Sequence, residues 1–129
     1  MQKLYIAASF ILILTALAHS IIGEIMIFRK LSGGHIVPSA SAPPLKARNI
    51  RILWASWHLT SIFGLVFALA LVKVGIGAPL STSELISAIA IACFTGGMLV
   101  LVGTKGRHPG WISLTVAAAL IWYAVYVAV

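Results

Sequence analysis

Residues 4–28 read LYIAASFILILTALAHSIIGEIMIF, an apolar run that is followed by Arg29 and Lys30. A helix needs about 20 predominantly apolar residues to cross the hydrocarbon core of a bilayer, because each residue advances it by about 1.5 Å. The run is therefore long enough to form one transmembrane helix. It also continues for ten residues beyond Ala18, which disfavours a secretory signal cleaved after Ala16-Leu17-Ala18.

The composition of the whole chain agrees with a membrane protein. Hydrophobic residues make up 61% of the 129 residues and charged residues only 9%, values that lie far outside the range of soluble globular domains. A soluble domain of this size could not bury so much apolar surface, so we expect membrane lipid as the surrounding medium. Three aromatic residues fall where interfacial aromatic belts are expected: Trp54, Trp57 and Trp111.

Three more apolar runs follow the first one. The four predicted spans cover residues 4–28, 52–72, 83–104 and 109–129. Ser81 and Glu84 fit a capping box at the start of the third span, and Pro109 suits the first turn of the fourth. The sequence therefore predicts a single all-α domain, a polytopic four-helix transmembrane bundle.

Basic residues are divided unequally between the two ends of this predicted bundle. The first and third loops share one side, and the basic residues there number seven of nine: Arg29, Lys30, Lys46, Arg48, Arg51, Lys105 and Arg107. Lys3 and Lys73 lie on the other side. The positive-inside rule then predicts cytoplasmic loops and both termini on the non-cytoplasmic side. Because the charges lie at the ends of apolar segments, we interpret them as topology determinants and lipid-headgroup contacts, with no nucleic-acid partner.

Four ionisable side chains lie toward this basic side at or near membrane depth. His19 and Glu24 are in the second half of the first span, His58 is in the first third of the second span, and His108 is at the junction of the third and fourth. Ionisable groups in a membrane are expensive, so each implies a partner, a cavity or a function. Counted from the flanking arginines, His19 is about 15 Å deep and His58 about 10 Å.

Helical geometry indicates which of these residues can meet. His19 and His58 lie on small or polar helix faces, which predicts that both point into the bundle. Glu24 is about 140° away from His19 on an ideal helix and nearer the direction of Ser20, so only a distortion at Gly23 would bring both to one ligand. His108 is about 10 Å shallower than His58 and joins only if its loop dips inward.

These residue types predict a cofactor site in the cytoplasmic half of the bundle. Imidazole and carboxylate groups are good ligands for a first-row transition metal, so the candidate metal ligands are His19, Glu24, His58 and His108. His19 and His58 are also candidate axial ligands for haem, which would be non-covalent because the sequence has no CxxCH motif. A redox role would follow from either group.

A structural interpretation of the same residues stays open. In it, His19 forms a hydrogen bond with Ser61 or a backbone carbonyl, and Glu24 pairs with Arg29 or Arg51.

Three short segments carry a resemblance to known sequences. HSxxGE at 19–24, WHLT at 57–60 and GRHPGW at 106–111 are similar to segments of a group of small, uncharacterised bacterial four-helix membrane proteins. The resemblance covers most of the chain. It implies a location in the bacterial inner membrane and a shared role for the three histidines, and it supplies no activity.

Two other classes of function also fit the sequence. A single acidic residue in the first of four short spans is a feature of the small multidrug resistance exporters, and it is compatible with a small proton-coupled transporter. The residues around Glu24 do not match that family's pattern. The third class is a non-catalytic accessory or assembly subunit of a larger membrane complex. Such a subunit would need surfaces for close helix contact. A row of small residues on the third span could provide one: Ala88, Ala92 and Gly96. As partners, membrane lipid and either a homo-oligomer or a larger membrane complex are expected.

Overall fold

The computed structural model describes residues 1–127, and within them the chain forms helices and no strand. The four long helices are α1 Gln2–Gly23, α2 Ala47–Gly75, α3 Thr82–Thr104 and α4 Gly110–Val127. Each is long and apolar enough to cross a membrane, so the chain is a multi-pass, all-α membrane protein. The four-helix prediction is confirmed. Residues 128–129 of the predicted fourth span lie outside the described residues, and the side of the termini stays a prediction.

The first helix changes its geometry where the sequence reaches Glu24. Beyond α1, the chain forms a π-helical turn, Glu24–Phe28, and then a 3₁₀ turn, Arg29–Leu31. The three pieces make one helical rod of 30 residues. A π-helical turn places more residues in each turn than an α-helix does, so it rotates the side chains that follow relative to those before it. Glu24 is the first residue of this turn, so the rotation applies to the residues after it.

The other helix ends follow local chemistry. Helix α2 begins five residues before the predicted apolar span, so Arg51 lies inside its second turn. At the start of α3 the predicted capping box is present. Ser81 Oγ accepts a hydrogen bond from Glu84 N, and the Glu84 carboxylate accepts one from Ser81 N at 2.9 Å. Glu84 also forms an ion pair with Lys73 across the turn between α2 and α3, so it has a sufficient structural role.

Helices that are neighbours in the sequence pack against each other, whereas α1 and α4 make almost no mutual contact in the part of the chain that is described. Small residues of α3 permit the close approaches. A Cβ atom added at Gly96 would lie 2.4 Å from Leu59 Cδ1 of α2, and one added at Gly97 would lie 2.8 Å from Thr115 Cγ2 of α4. Two adjacent glycines of α3 thus allow close contact with two different helices, Gly96 with α2 and Gly97 with α4.

A hydrophobic core lies at the end of the bundle that carries the first and third loops, which we call the basic end. Its buried members are Phe28, Trp54, Ala55 and Val100. The first loop, residues 32–46, folds back over this end. Its Val37 packs against the core, and the backbone N–H groups of Ser39 and Ala40 both donate to the carbonyl of Leu31 at 3.0 Å.

Candidate functional site

Four polar side chains form a hydrogen-bonded chain between α1 and α2 near the basic end. His58 Nδ1 lies 2.9 Å from Ser20 Oγ, and His58 Nε2 lies 3.2 Å from Glu24 Oε2. The indole Nε1 of Trp54 donates a hydrogen bond to the same carboxylate oxygen at 2.9 Å. We call Ser20, Glu24, Trp54 and His58 the polar cluster.

The spacing of these residues explains how two helices assemble the polar cluster. Ser20 and Glu24 are four residues apart on the first helical rod, and Trp54 and His58 are four apart on α2. Side chains at this spacing are neighbours on one helix face. Two such pairs face each other across the α1–α2 contact, so each residue of one pair reaches a residue of the other.

Within the polar cluster, the Glu24 carboxyl group and the His58 imidazole lie in membrane-spanning helices, and each has hydrogen-bond partners. The side chain of His58 is 17% exposed and that of Glu24 is 34% exposed, while Trp54 is buried. Transfer of a carboxylate out of water is costly unless hydrogen bonds compensate it. Here the indole N–H supplies one hydrogen bond, and His58 supplies a second when its Nε2 carries a proton.

Aromatic rings fix the orientation of the His58 imidazole. The ring of Trp54 lies edge-on to it with 4.9 Å between centroids, and Phe28 lies 6.1 Å away. The sequence places Trp54 in an interfacial aromatic belt and on the helix face of His58, and the structure adds its contact with Glu24 and the ring of Phe28. The i, i+4 spacing of Trp54 and His58 is the sequence signal for that shared face.

His19 lies beside the polar cluster and not within it. Its ring stacks on Trp57 with centroids 4.1 Å apart and planes 7° apart. Trp57 Nε1 also donates to the backbone carbonyl of His19 at 2.8 Å. Gly23 provides the space for this indole, because a Cβ atom there would lie 2.1 Å from Trp57 Nε1. The described contacts of His19 include no hydrogen bond to His58 or Glu24.

His108 occupies a separate position at the start of α4. Its Nδ1 accepts a hydrogen bond from Gly110 N at 3.1 Å, which satisfies one of the free N–H groups of the first helical turn. Of the four predicted metal ligands, the structure therefore brings Glu24 and His58 together, with His19 alongside and His108 apart. Across residues 1–127, no three His, Cys, Asp or Glu side chains form a group that could hold a metal ion.

The pairings expected under the structural interpretation are replaced by others. Glu24 contacts His58 and Trp54 instead of Arg29 or Arg51. Arg51 Nε and Ser61 Oγ are buried and have no hydrogen-bond partner among the described residues.

No protein family model, curated protein sequence or solved structure matches this chain. The chemistry of the polar cluster is therefore the feature that distinguishes among the classes of function.

Proposed function

We propose that this multi-pass membrane protein binds and releases protons at the Glu24–His58 pair, and that this exchange drives a small proton-coupled transport function. The observation that carries the proposal is the 3.2 Å contact between two titratable side chains from different helices. Acidic and histidine side chains that meet within membrane spans are typical of proton relays in pumps and transporters.

The hydrogen-bond pattern suits proton exchange. Glu24, His58 and Ser20 are linked in series, and each side chain can both donate and accept hydrogen bonds when Glu24 is protonated and His58 is neutral. The Trp54 indole can only donate, so it holds the carboxylate oxygen in place without taking part in the exchange. A proton taken up by Glu24 can thus pass to His58 without any movement of the two helices.

The same contacts favour a proton over haem. A haem at His58 would have to displace the side chain that contacts the ligating ring nitrogen, which is Ser20 at Nδ1 or Glu24 at Nε2. The second candidate axial ligand, His19, lies with its ring flat against Trp57. A proton needs only the donor and acceptor that are already in contact.

A non-haem metal is a second candidate, and the geometry of the pair supports it. Ligands on one first-row ion lie about 2.1 Å from the metal, and two such ligands at roughly a right angle or slightly more are separated by about 3 Å. The 3.2 Å between Glu24 Oε2 and His58 Nε2 fits this separation. Ser20 would then orient the imidazole through Nδ1, and Trp54 would hold the ligating carboxylate oxygen.

Infrared spectroscopy of the protein in lipid nanodiscs tests proton exchange. The chain has two carboxylate side chains, Glu24 and Glu84, so Glu84→Gln is a matched control for Glu24→Gln. We expect the infrared difference spectrum between acidic and alkaline buffer to contain a carboxyl C=O band. It should be absent in Glu24→Gln and retained in Glu84→Gln. A spectrum with no pH-dependent band that requires Glu24 would overturn the proposal.

Elemental analysis tests the metal candidate in the same preparations. After incubation with Zn²⁺ and dialysis, a bound metal should be present in the parent protein and lost in Glu24→Gln and in His58→Gln. His108→Gln is the control that should retain it, because His108 lies apart from the pair. Equal metal content in all four proteins would exclude this site.

A further inference from the structure

A pocket opens at the basic end, on the far side of Trp54 from Glu24. It has a volume of about 580 Å³ and lies between residues 34–39 of the first loop, Arg51 and Trp54 of α2, and Val102 and Lys105 at the end of α3. The buried ring of Trp54 separates it from Glu24, since its indole N–H points to the carboxylate. We call it the basic pocket.

The basic pocket holds positive charge without a counter-ion from the protein. Arg51 and Lys105 line it together with His35, and its lining includes no acidic residue. Both carboxylate side chains of the chain are engaged elsewhere: Glu24 contacts His58, and Glu84 contacts Lys73. The charge of the pocket is therefore available to an anion from outside.

Arg51 is prepared for such an anion. Its Nε atom is buried and has no hydrogen-bond partner within residues 1–127, and an unsatisfied buried donor is costly. A guanidinium group presents its N–H donors in a planar fork that matches the oxygens of a phosphate or a carboxylate. An oxyanion in the pocket would accept hydrogen bonds from the part of the guanidinium group that lines it.

The backbone at Lys105 is unusual for the residue it carries. Lys105 ends α3 in the left-handed conformation, with φ 53° and ψ 42°, where glycine or asparagine is normally favoured. A side chain held in this sparsely populated region is a pointer to function. Here the conformation places a lysine at the edge of the basic pocket.

Apolar residues in the wall of the basic pocket indicate that its ligand also has an apolar part. Ile36 and Val102 line it and are 85% and 63% exposed, so an apolar surface continues from the pocket to the outer surface of the bundle. At a helix end this surface meets the boundary between headgroups and acyl chains. An anionic group with an attached hydrocarbon chain matches both parts of the surface.

We propose that the basic pocket binds the phosphate of an anionic phospholipid, with Arg51 and Lys105 on the phosphate oxygens and Ile36 and Val102 against the chain. The pocket adjoins the polar cluster through Trp54, but phospholipid binding there does not require proton exchange at Glu24 and His58. It also differs from general attraction between basic loops and a membrane, because only two of the seven basic residues at this end line the pocket.

Native mass spectrometry of the full chain in detergent tests the proposal with defined probes. These are short-chain phosphatidylglycerol, short-chain phosphatidylcholine and inorganic phosphate. We expect phosphatidylglycerol to bind more tightly than phosphatidylcholine, and excess inorganic phosphate to leave it bound. Arg51→Gln should weaken phosphatidylglycerol binding about tenfold, the loss typical for a charge-assisted hydrogen bond.

The matched control is Arg29→Gln, which removes a basic residue from the same end that does not line the pocket. If Arg51→Gln fails to fold, Lys105→Asn replaces it, because asparagine tolerates the left-handed conformation and removes the charge. An equal loss in Arg29→Gln would overturn the proposal. Equal binding of the two lipids, or displacement by inorganic phosphate, would overturn a phospholipid as the occupant.

Discussion

His58 Nε2 lies 3.2 Å from Glu24 Oε2, and the two residues are 34 positions apart in the sequence. The contact joins α2 to the π-helical turn at the end of α1, and Trp54 donates to the same carboxylate oxygen. The helices therefore bring a carboxylate and an imidazole into contact within the membrane-spanning part of the chain, with the Trp54 N–H group as the third partner.

Gly23→Ala should destabilise the α1–α2 interface. The added Cβ would lie 2.1 Å from Trp57 Nε1, so the indole must move and lose its hydrogen bond to the His19 carbonyl. We expect a loss of about 1–3 kcal/mol in the free energy of unfolding, measured by denaturation in detergent. Gly64→Ala is the control, because its Cβ would meet Ala16 Cβ at an ordinary 3.5 Å. Equal stability of the two variants would contradict this packing.

A double-mutant cycle should show that Glu24 and His58 interact. The variants Glu24→Gln and His58→Leu, alone and combined, should give a coupling energy of about 0.5–3 kcal/mol in the free energy of unfolding. The control cycle pairs Glu24→Gln with Thr60→Val, because Thr60 Oγ1 donates to the Ser56 carbonyl on its own helix. Additive effects in the first cycle would show that the contact does not contribute to stability.

Substitutions of Trp54 and Trp57 should have different effects on the infrared bands of Glu24. Trp54→Phe removes the indole donor to Glu24 and keeps an aromatic ring in the core, so it should shift the Glu24 infrared bands. It should also cost about 1 kcal/mol in the free energy of unfolding. Trp57→Phe removes the donor to the His19 carbonyl and keeps an aromatic ring beside His19, so those bands should stay unchanged. The opposite pattern would place the carboxylate nearer Trp57.

The membrane orientation can be measured with single cysteines after Cys93→Ser. Ser41 in the first loop and Ser83 at the start of α3 are both exposed, so cysteine at either position is accessible to reagents. We expect an impermeant thiol reagent to label the Ser83 position in intact cells and to spare the Ser41 position, because the basic loops should be cytoplasmic. Labelling of Ser41 alone would reverse the topology.

The sequence predicted the helices better than the contacts between them. Four apolar runs were sufficient to predict four helices, and Ser81 with Glu84 predicted a helix start, because both signals are local. The π-helical turn was not predicted. It coincides with the point where Gly23 admits the Trp57 indole from α2, a tertiary contact that no local pattern reports. The same limit applies to the site, where the sequence grouped His19 with His58 by depth and missed the indole donors.

Nitrogen-15 NMR of labelled histidine in lipid bilayers tests proton exchange at the Glu24–His58 pair most directly, because ring-nitrogen shifts report which atoms carry protons. His58 can be assigned with His58→Gln, and Glu84→Gln again serves as the carboxylate control. We predict that the His58 ring-nitrogen shifts differ between acidic and alkaline buffer, and that Glu24→Gln alters this difference while Glu84→Gln does not. His58 ring-nitrogen shifts that are the same in both buffers, with or without Glu24, would contradict a proton-exchanging pair and would leave the polar cluster as a contact that only holds α1 and α2 together.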